Sequence, residues 1–205
     1  APTGHFDVIL NFSHNPNSLS LSHLGFTLAE VLVTLGIIGV VSAMTVPSLM
    51  QNYQRQSYVS QINKIYNELM QASQRYITEH NALNLKEAGI TSNEALDNFI
   101  KSSFKIINDC GSEQTPCFAA EGTYRKLSGA NADTGQKYNV TLASGAAFAY
   151  SYIGTDKIAI IDVDINGQKG PNIAGRDVFI LGLFNNGLVD DYGASSAPAS
   201  KETRE

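Results

Sequence analysis

Two acids, an asparagine and a glycine at alternate spacing form the clearest chemistry-bearing pattern in the chain: Asp162-Val163-Asp164-Ile165-Asn166-Gly167. Oxygen side chains at every second position, followed by a glycine turn, can wrap a hard cation, and the pattern matches the opening of a calcium loop. The match stops there. The twelfth position is Ile173, where a bidentate Glu belongs, and Lys169 puts a positive charge inside the loop. Asp177 or Asn172 would have to complete a cage of another geometry, so a calcium site would draw on Asp162, Asp164, Asn166 and Asp177. The stronger expectation is structural: Asn166-Gly167 and Gly170-Pro171-Asn172 each make a turn, and the acids accept from backbone N–H groups.

Other reactive groups lack partners. All four histidines (His5, His14, His23, His80) lie at or before residue 80, so Ser144 and Ser151 have no base for nucleophilic catalysis. Gly167–Gly175 lacks the strand–loop–helix context and the Lys-Ser/Thr pair of a phosphate loop. No arrangement of base, nucleophile and orienting acid emerges, and the chain does not read as an enzyme. Its 14 Lys and Arg all lie at or after Arg55. Of 19 acids only Asp7 and Glu30 precede it, so the part from Arg55 onward is nearly balanced although the net charge is −5. Arg125-Lys126 is the only adjacent basic pair, which gives no footprint for nucleic acid. Cys110 and Cys117 enclose Gly-Ser-Glu-Gln-Thr-Pro. In an exported domain this spacing predicts a local disulfide, worth about 2–3 kcal/mol on the chain-entropy model; the alternative is a pair of buried thiols.

The elements that position these residues follow from periodicity. Val59, Ile62, Ile65-Tyr66, Leu69, Ser73 and Tyr76-Ile77 recur at three- and four-residue intervals, as on an amphipathic helix. No Gly or Pro interrupts 48–85. Thr91-Ser92-Asn93-Glu94 reads as a capping box opening a short helix that ends near Asn108. Strand-like runs follow at 138–142, 146–153, 157–163 and 177–184, with a turn at Asn185-Asn186-Gly187 and a last short strand to Tyr192. Short connections predict an α+β fold: a long helix packed on an antiparallel sheet of about four strands.

Upstream, Val31–Gln54 contains no charged residue. About twenty apolar residues at ~1.5 Å rise cross the ~30 Å hydrocarbon core of a bilayer. The run is opened by Gly25-Phe26-Thr27-Leu28-Ala29-Glu30, whose acid is expensive in lipid unless neutralised by a cation. A secretory signal with cleavage near Ser42-Ala43 is the competing reading, but no basic residue precedes the run.

Gly-Phe-Thr-Leu-Ala-Glu and the run after it closely resemble the processing site of type IV prepilins and type II secretion pseudopilins. The resemblance covers about residues 25–54. It implies cleavage between Gly25 and Phe26 by a prepilin peptidase, N-methylation of Phe26, and pairing of Glu30 with a neighbouring subunit's amine. It also implies a helix that loosens at Pro47. The implied layout is a leader (1–25, expected to be removed or disordered, with sequence expected upstream of it), a membrane and filament-core helix (26–52), a pilin-like head (53–194) and a flexible tail (195–205). The implied setting is the bacterial inner membrane, spanned once, with the head in the periplasm. The implied partners are the peptidase, other pilin or pseudopilin subunits, an inner-membrane assembly platform and membrane lipid. The stretch from Asp164 to Phe179 also resembles a signature toward the C-terminal end of some pilin-like proteins; major pseudopilins bind calcium in a C-terminal loop. A membrane-tethered, extracytoplasmic interaction module that does not polymerise is the alternative function.

Overall fold

The computed structural model describes residues 27–132 and 135–198. The chain divides into two compact units, one up to Ser48 and one from Leu49 onward. The long helix is α1 (Leu28–Glu79), which takes in both the apolar run and the amphipathic stretch. It closes on Asn81, whose positive φ of 48° is accompanied by bonds from Asn81 N–H to Thr78 O and from Ala82 N–H to Ile77 O. That is the left-handed cap in which asparagine can substitute for glycine.

The second unit holds α2 (Asn93–Ser103) and six strands: β1 (Ile106–Gly111), β2 (Tyr138–Leu142), β3 (Ala147–Tyr152), β4 (Lys157–Asp164), β5 (Val178–Phe184) and β6 (Val189–Asp191). They form one antiparallel meander in chain order, each strand paired with its sequence neighbours. The sheet is thus wider than the four strands expected. The missed strand is β1, which sequence periodicity had placed in the end of α2. It is an edge strand with two register shifts and no fully buried side chain, so it lacks the apolar alternation that marks a strand. The helix start also differs by one residue: Ser92, not Thr91, is the N-cap, accepting from Ala95 N–H at 3.1 Å.

Period-two alternation sends the two faces of the sheet to different partners. Val140, Phe148, Tyr150, Ile161, Val163 and Leu183 face the helices, meeting Ile65, Leu69 and Ala72 of α1 and Leu96, Phe99 and Ile100 of α2. Val59, expected on this stripe, is instead exposed, and Ala72 is buried. On the other face the small residues Ala147 and Ala149 of β3 leave room for the chain after β1, whose Phe118 and Tyr124 pack there with Val178. The Cys110–Cys117 disulfide, with Cα atoms 6.2 Å apart, closes the start of that covering segment.

Polar ties lock the layers. The turn after β5 docks on α1 through Gly187, where a Cβ would lie 2.6 Å from Gln74 Nε2 and 2.8 Å from the Ile77 side chain. Asn185 accepts from Leu85 N–H through its carbonyl and from Lys86 N–H through its side chain. The buried Tyr150 hydroxyl donates to Asp97 at 2.6 Å, and Lys101 bridges Asp97 at 2.8 Å to Asp109 of β1 at 2.6 Å. Burial works against the Lys101 charge, but its bonds to Asp109 and Asp97 outweigh it and raise its pKa; the Lys101 bond in turn holds Asp109 below the usual carboxylate value.

Asp97→Ala is therefore expected to destabilise the protein by about 2–3 kcal/mol in urea unfolding, because the Tyr150 hydroxyl is left buried without an acceptor. In a Tyr150→Phe background the same change should cost less than half as much.

Candidate processing and assembly site

The first described residues form a reciprocal cap. Thr27 donates to Glu30 Oε2 from both its N–H and its hydroxyl, each at 2.8 Å, and Glu30 N–H donates back to Thr27 Oγ1 at 3.2 Å. Thr-x-x-Glu before an apolar run is the capping-box signature, so this signal was present in the sequence and had been read only for the charge. Glu30 consequently stands in the first turn of α1, at the N-terminal end of the apolar stretch.

From there to Gln56 every side chain is exposed. Leu32 is 60% exposed and Met44 76%. An 18-residue window of this helix has a mean hydropathy of 2.0 and no buried share, unlike the core helix of a soluble protein. The hydroxyls in the run are satisfied locally: Thr34 donates to the carbonyls of Glu30 and Val31, and Thr45 to that of Val41, each at 2.9 Å. A polar group tied to its own helix can sit in hydrocarbon. Pro47 lies inside the helix, where its missing N–H leaves the Ala43 carbonyl without its usual donor.

A family model described as the prokaryotic N-terminal methylation motif matches residues 22–46. This chain carries a prepilin-type N-terminus. The motif belongs to type IV pilins and pseudopilins, structural subunits processed by a prepilin peptidase and assembled with other subunits. The match takes in Gly25, Phe26 and Glu30 and stops one residue before Pro47. Gly25, Phe26 and the leader lie outside the described residues, as does the tail from residue 199. No curated protein and no solved structure matches the chain.

The acids singled out for a cation lie elsewhere, and the structure gives each a protein donor. Asp162 and Asp164 are strand residues of β4, opposite Ala149 and Ala147 on the face covered by the segment after β1. Gln136 Nε2 donates to Asp162 at 3.2 Å. The Tyr124 hydroxyl, itself accepting from Ala119 N–H, donates to Asp164 Oδ2 at 2.8 Å, and Asn166 N–H donates to Oδ1 at 3.2 Å. Asp177, fully buried, takes Asn172 N–H at 2.8 Å and Ile173 N–H at 2.7 Å, one on each oxygen. Asn166 donates its side-chain amide to Gly170 O. Among the described residues no three His, Cys, Asp or Glu converge as a metal cluster would. The Oδ1 atoms of Asn166 and Asn172 are buried without a hydrogen-bond partner and are the atoms a cation would use. Tyr124 and Gln136 were not legible as partners, since nothing local in sequence links residues 40 and 26 positions apart.

Protein donors reach both oxygens of Asp164 and both of Asp177. The melting temperature of the head is expected to be the same in EDTA as in millimolar calcium; a rise of several degrees with calcium would recruit the two asparagine oxygens. A second outcome concerns pH. Burial pushes the Asp164 carboxyl from 3.8 up to about 6, with the Asp177 charge adding to it and the Tyr124 and Asn166 bonds opposing it. The folded protein therefore holds a proton that the unfolded chain has released, and this group's contribution falls as pH rises from about 4 to about 6. Wild type should lose about 2 kcal/mol across that window relative to Asp164→Asn, measured by urea unfolding at fixed pH steps.

Proposed function

We propose that this chain is a structural subunit cleaved between Gly25 and Phe26, methylated on Phe26, stored in the inner membrane with its head in the periplasm, and drawn by an inner-membrane assembly platform into a type IV pilus or a type II secretion pseudopilus. The observation that carries this reading is the pairing of a stretch of α1, 31–54, that has no charged and no buried residue, with a motif at residues 22–46 whose acid stands in the first helical turn. The first half of α1 supplies the membrane anchor and then the filament core; the α+β head supplies the surface. Work of this kind is mechanical, and it needs no catalytic group in the head.

Glu30 has two separable tasks in this scheme. Its carboxylate completes the cap with Thr27, and its charge pairs with the methylated amine of a neighbouring subunit, which makes a carboxylate tolerable in hydrocarbon. Glutamine closes the same capping box without the charge. Glu30→Gln is therefore expected to keep membrane insertion and helix content at wild-type levels while reducing recovery in sheared filaments as severely as Glu30→Ala. Filaments of Glu30→Gln at wild-type yield would remove the role assigned to the charge. N-terminal mass analysis of membrane-extracted protein tests the rest: a chain beginning at N-methyl-Phe26 is expected, and a chain that retains residues 1–25 would favour a tethered module that does not polymerise.

A further inference from the structure

Arg55 is the first charged residue after the apolar run and lies five positions beyond Met50 on α1. At about 1.5 Å per residue, the uncharged stretch from Val31 to Gln54 rises about 36 Å, slightly more than the ~30 Å hydrocarbon layer. Arg55 therefore falls at the depth of lipid phosphates. It lines one wall of a groove of about 580 Å³ together with Tyr58 and Val59; Leu127, Arg176 and Phe179 form the other wall.

The second wall is held rigidly. Buried Asp177 fixes the N–H groups of Asn172 and Ile173, Arg176 N–H donates to Ile173 O at 2.9 Å, and Gly175 N–H donates to Val178 O at 2.8 Å. The backbone of Arg125 adds bonds to Asn172 O and from Ala174 N–H. Arg176 is thus presented from a fixed turn beside the membrane-proximal part of α1. Neither Arg55 nor Arg176 meets a carboxylate among the described residues, although acids outnumber bases in the chain. The apolar residues between them are poorly covered: Leu127 is 77% exposed and Val59, which the helical periodicity had placed in the core, is 57% exposed. Two guanidinium groups without a carboxylate partner among the described residues, lining one groove with exposed apolar side chains, match an amphiphile with an anionic head. A groove of this size is ordinary for a small ligand, and guanidinium groups suit bidentate contact with phosphate oxygens.

We propose that this groove binds the phosphate headgroup of an anionic phospholipid in the leaflet on the head's side of the membrane. Arg55 and Arg176 hold the phosphate, and Tyr58, Val59, Leu127 and Phe179 cover the glycerol and the first methylenes. The proposal rests on the membrane-anchored reading of α1. It gives the stored subunit a fixed depth at the membrane, and it must be released when the span leaves the bilayer.

The test uses the full chain in an uncharged detergent, titrated with dioctanoyl phosphatidylglycerol, with dioctanoyl phosphatidylcholine and inorganic phosphate as comparison probes, and with binding read by calorimetry. The anionic lipid is expected to bind one to one and well ahead of both comparison probes. Arg55→Gln and Arg176→Gln should each weaken it about fivefold, and the pair about thirtyfold. The double Arg→Lys variant should retain part of the preference, and unchanged melting temperatures show that the head remains folded. Equal binding of both lipids, wild-type affinity in the double Gln variant, or equal competition by inorganic phosphate would each overturn the proposal. So would a double Gln variant that binds lipid normally but no longer sediments with filaments, which would make the groove a contact between subunits. The processing reading fails separately: phosphatidylglycerol binding by a chain that keeps its leader would support the groove and sink the cleavage, whereas a mature N-methyl-Phe26 chain indifferent to the lipid would do the reverse.

Discussion

Thirteen large apolar side chains between Leu28 and Met50 are exposed, and nothing in the described chain covers them. Burying each is worth about 1.5–3 kcal/mol, so together they outweigh the ~5–15 kcal/mol that holds an ordinary domain folded. No rearrangement of the head could offset leaving such a surface in water. Such a stretch has to be covered by lipid or by other protein. Local satisfaction of Thr34 and Thr45 by helix carbonyls fits that demand, because it leaves neither hydroxyl in need of an outside partner.

The head is built to stand without help from the span. Its apolar stripe on α1 begins beyond the membrane-proximal residues, with Ile65, Leu69 and Ala72 buried against the sheet and α2. The meander keeps all strand pairing local in sequence, so its connections are short and no crossover has to be threaded. On the far face the alanines of β3 exchange bulk for space, and that space admits Phe118 and Tyr124 together with the acids of β4. Placing Asp164 and Asp177 there is costly unless each oxygen finds a donor, and the donors come from the covering segment and the turn before β5. The covering segment is thereby fixed to the sheet by polar bonds as well as by the disulfide.

What could be read from the sequence follows how local each signal is. The processing motif and the long amphipathic helix are patterns carried by adjacent residues, which is why the family model and α1 fall on the stretches where they were expected. The strands with alternating or continuous apolar residues were legible for the same reason. β1 was not, because an edge strand with an exposed Ile107 and two bulges buries too little to leave a pattern. The candidate cation loop shows the limit of spacing. Asp162, Asp164, Asn166 and Gly167 share spacing with a calcium loop, but the first two belong to a strand and face into the protein, where Gln136 and Tyr124 approach from far along the chain. Spacing alone cannot distinguish a ligand set from acids satisfied by distant donors.

On the proposed reading, a structural role and an assembly role share the Glu30 side chain. The cap accounts for a residue with a side-chain acceptor at this position, since both bonds from Thr27 end on Oε2. It does not account for a charge, because glutamine caps equally well and is cheaper to place at the edge of hydrocarbon. An excess cost without a local return is what the proposed pairing with a neighbouring subunit's amine would offset. The cap then has a second consequence. By tying the carboxylate to the first turn, it removes side-chain freedom that would otherwise be lost on pairing, so the acid is already oriented when its partner comes within reach.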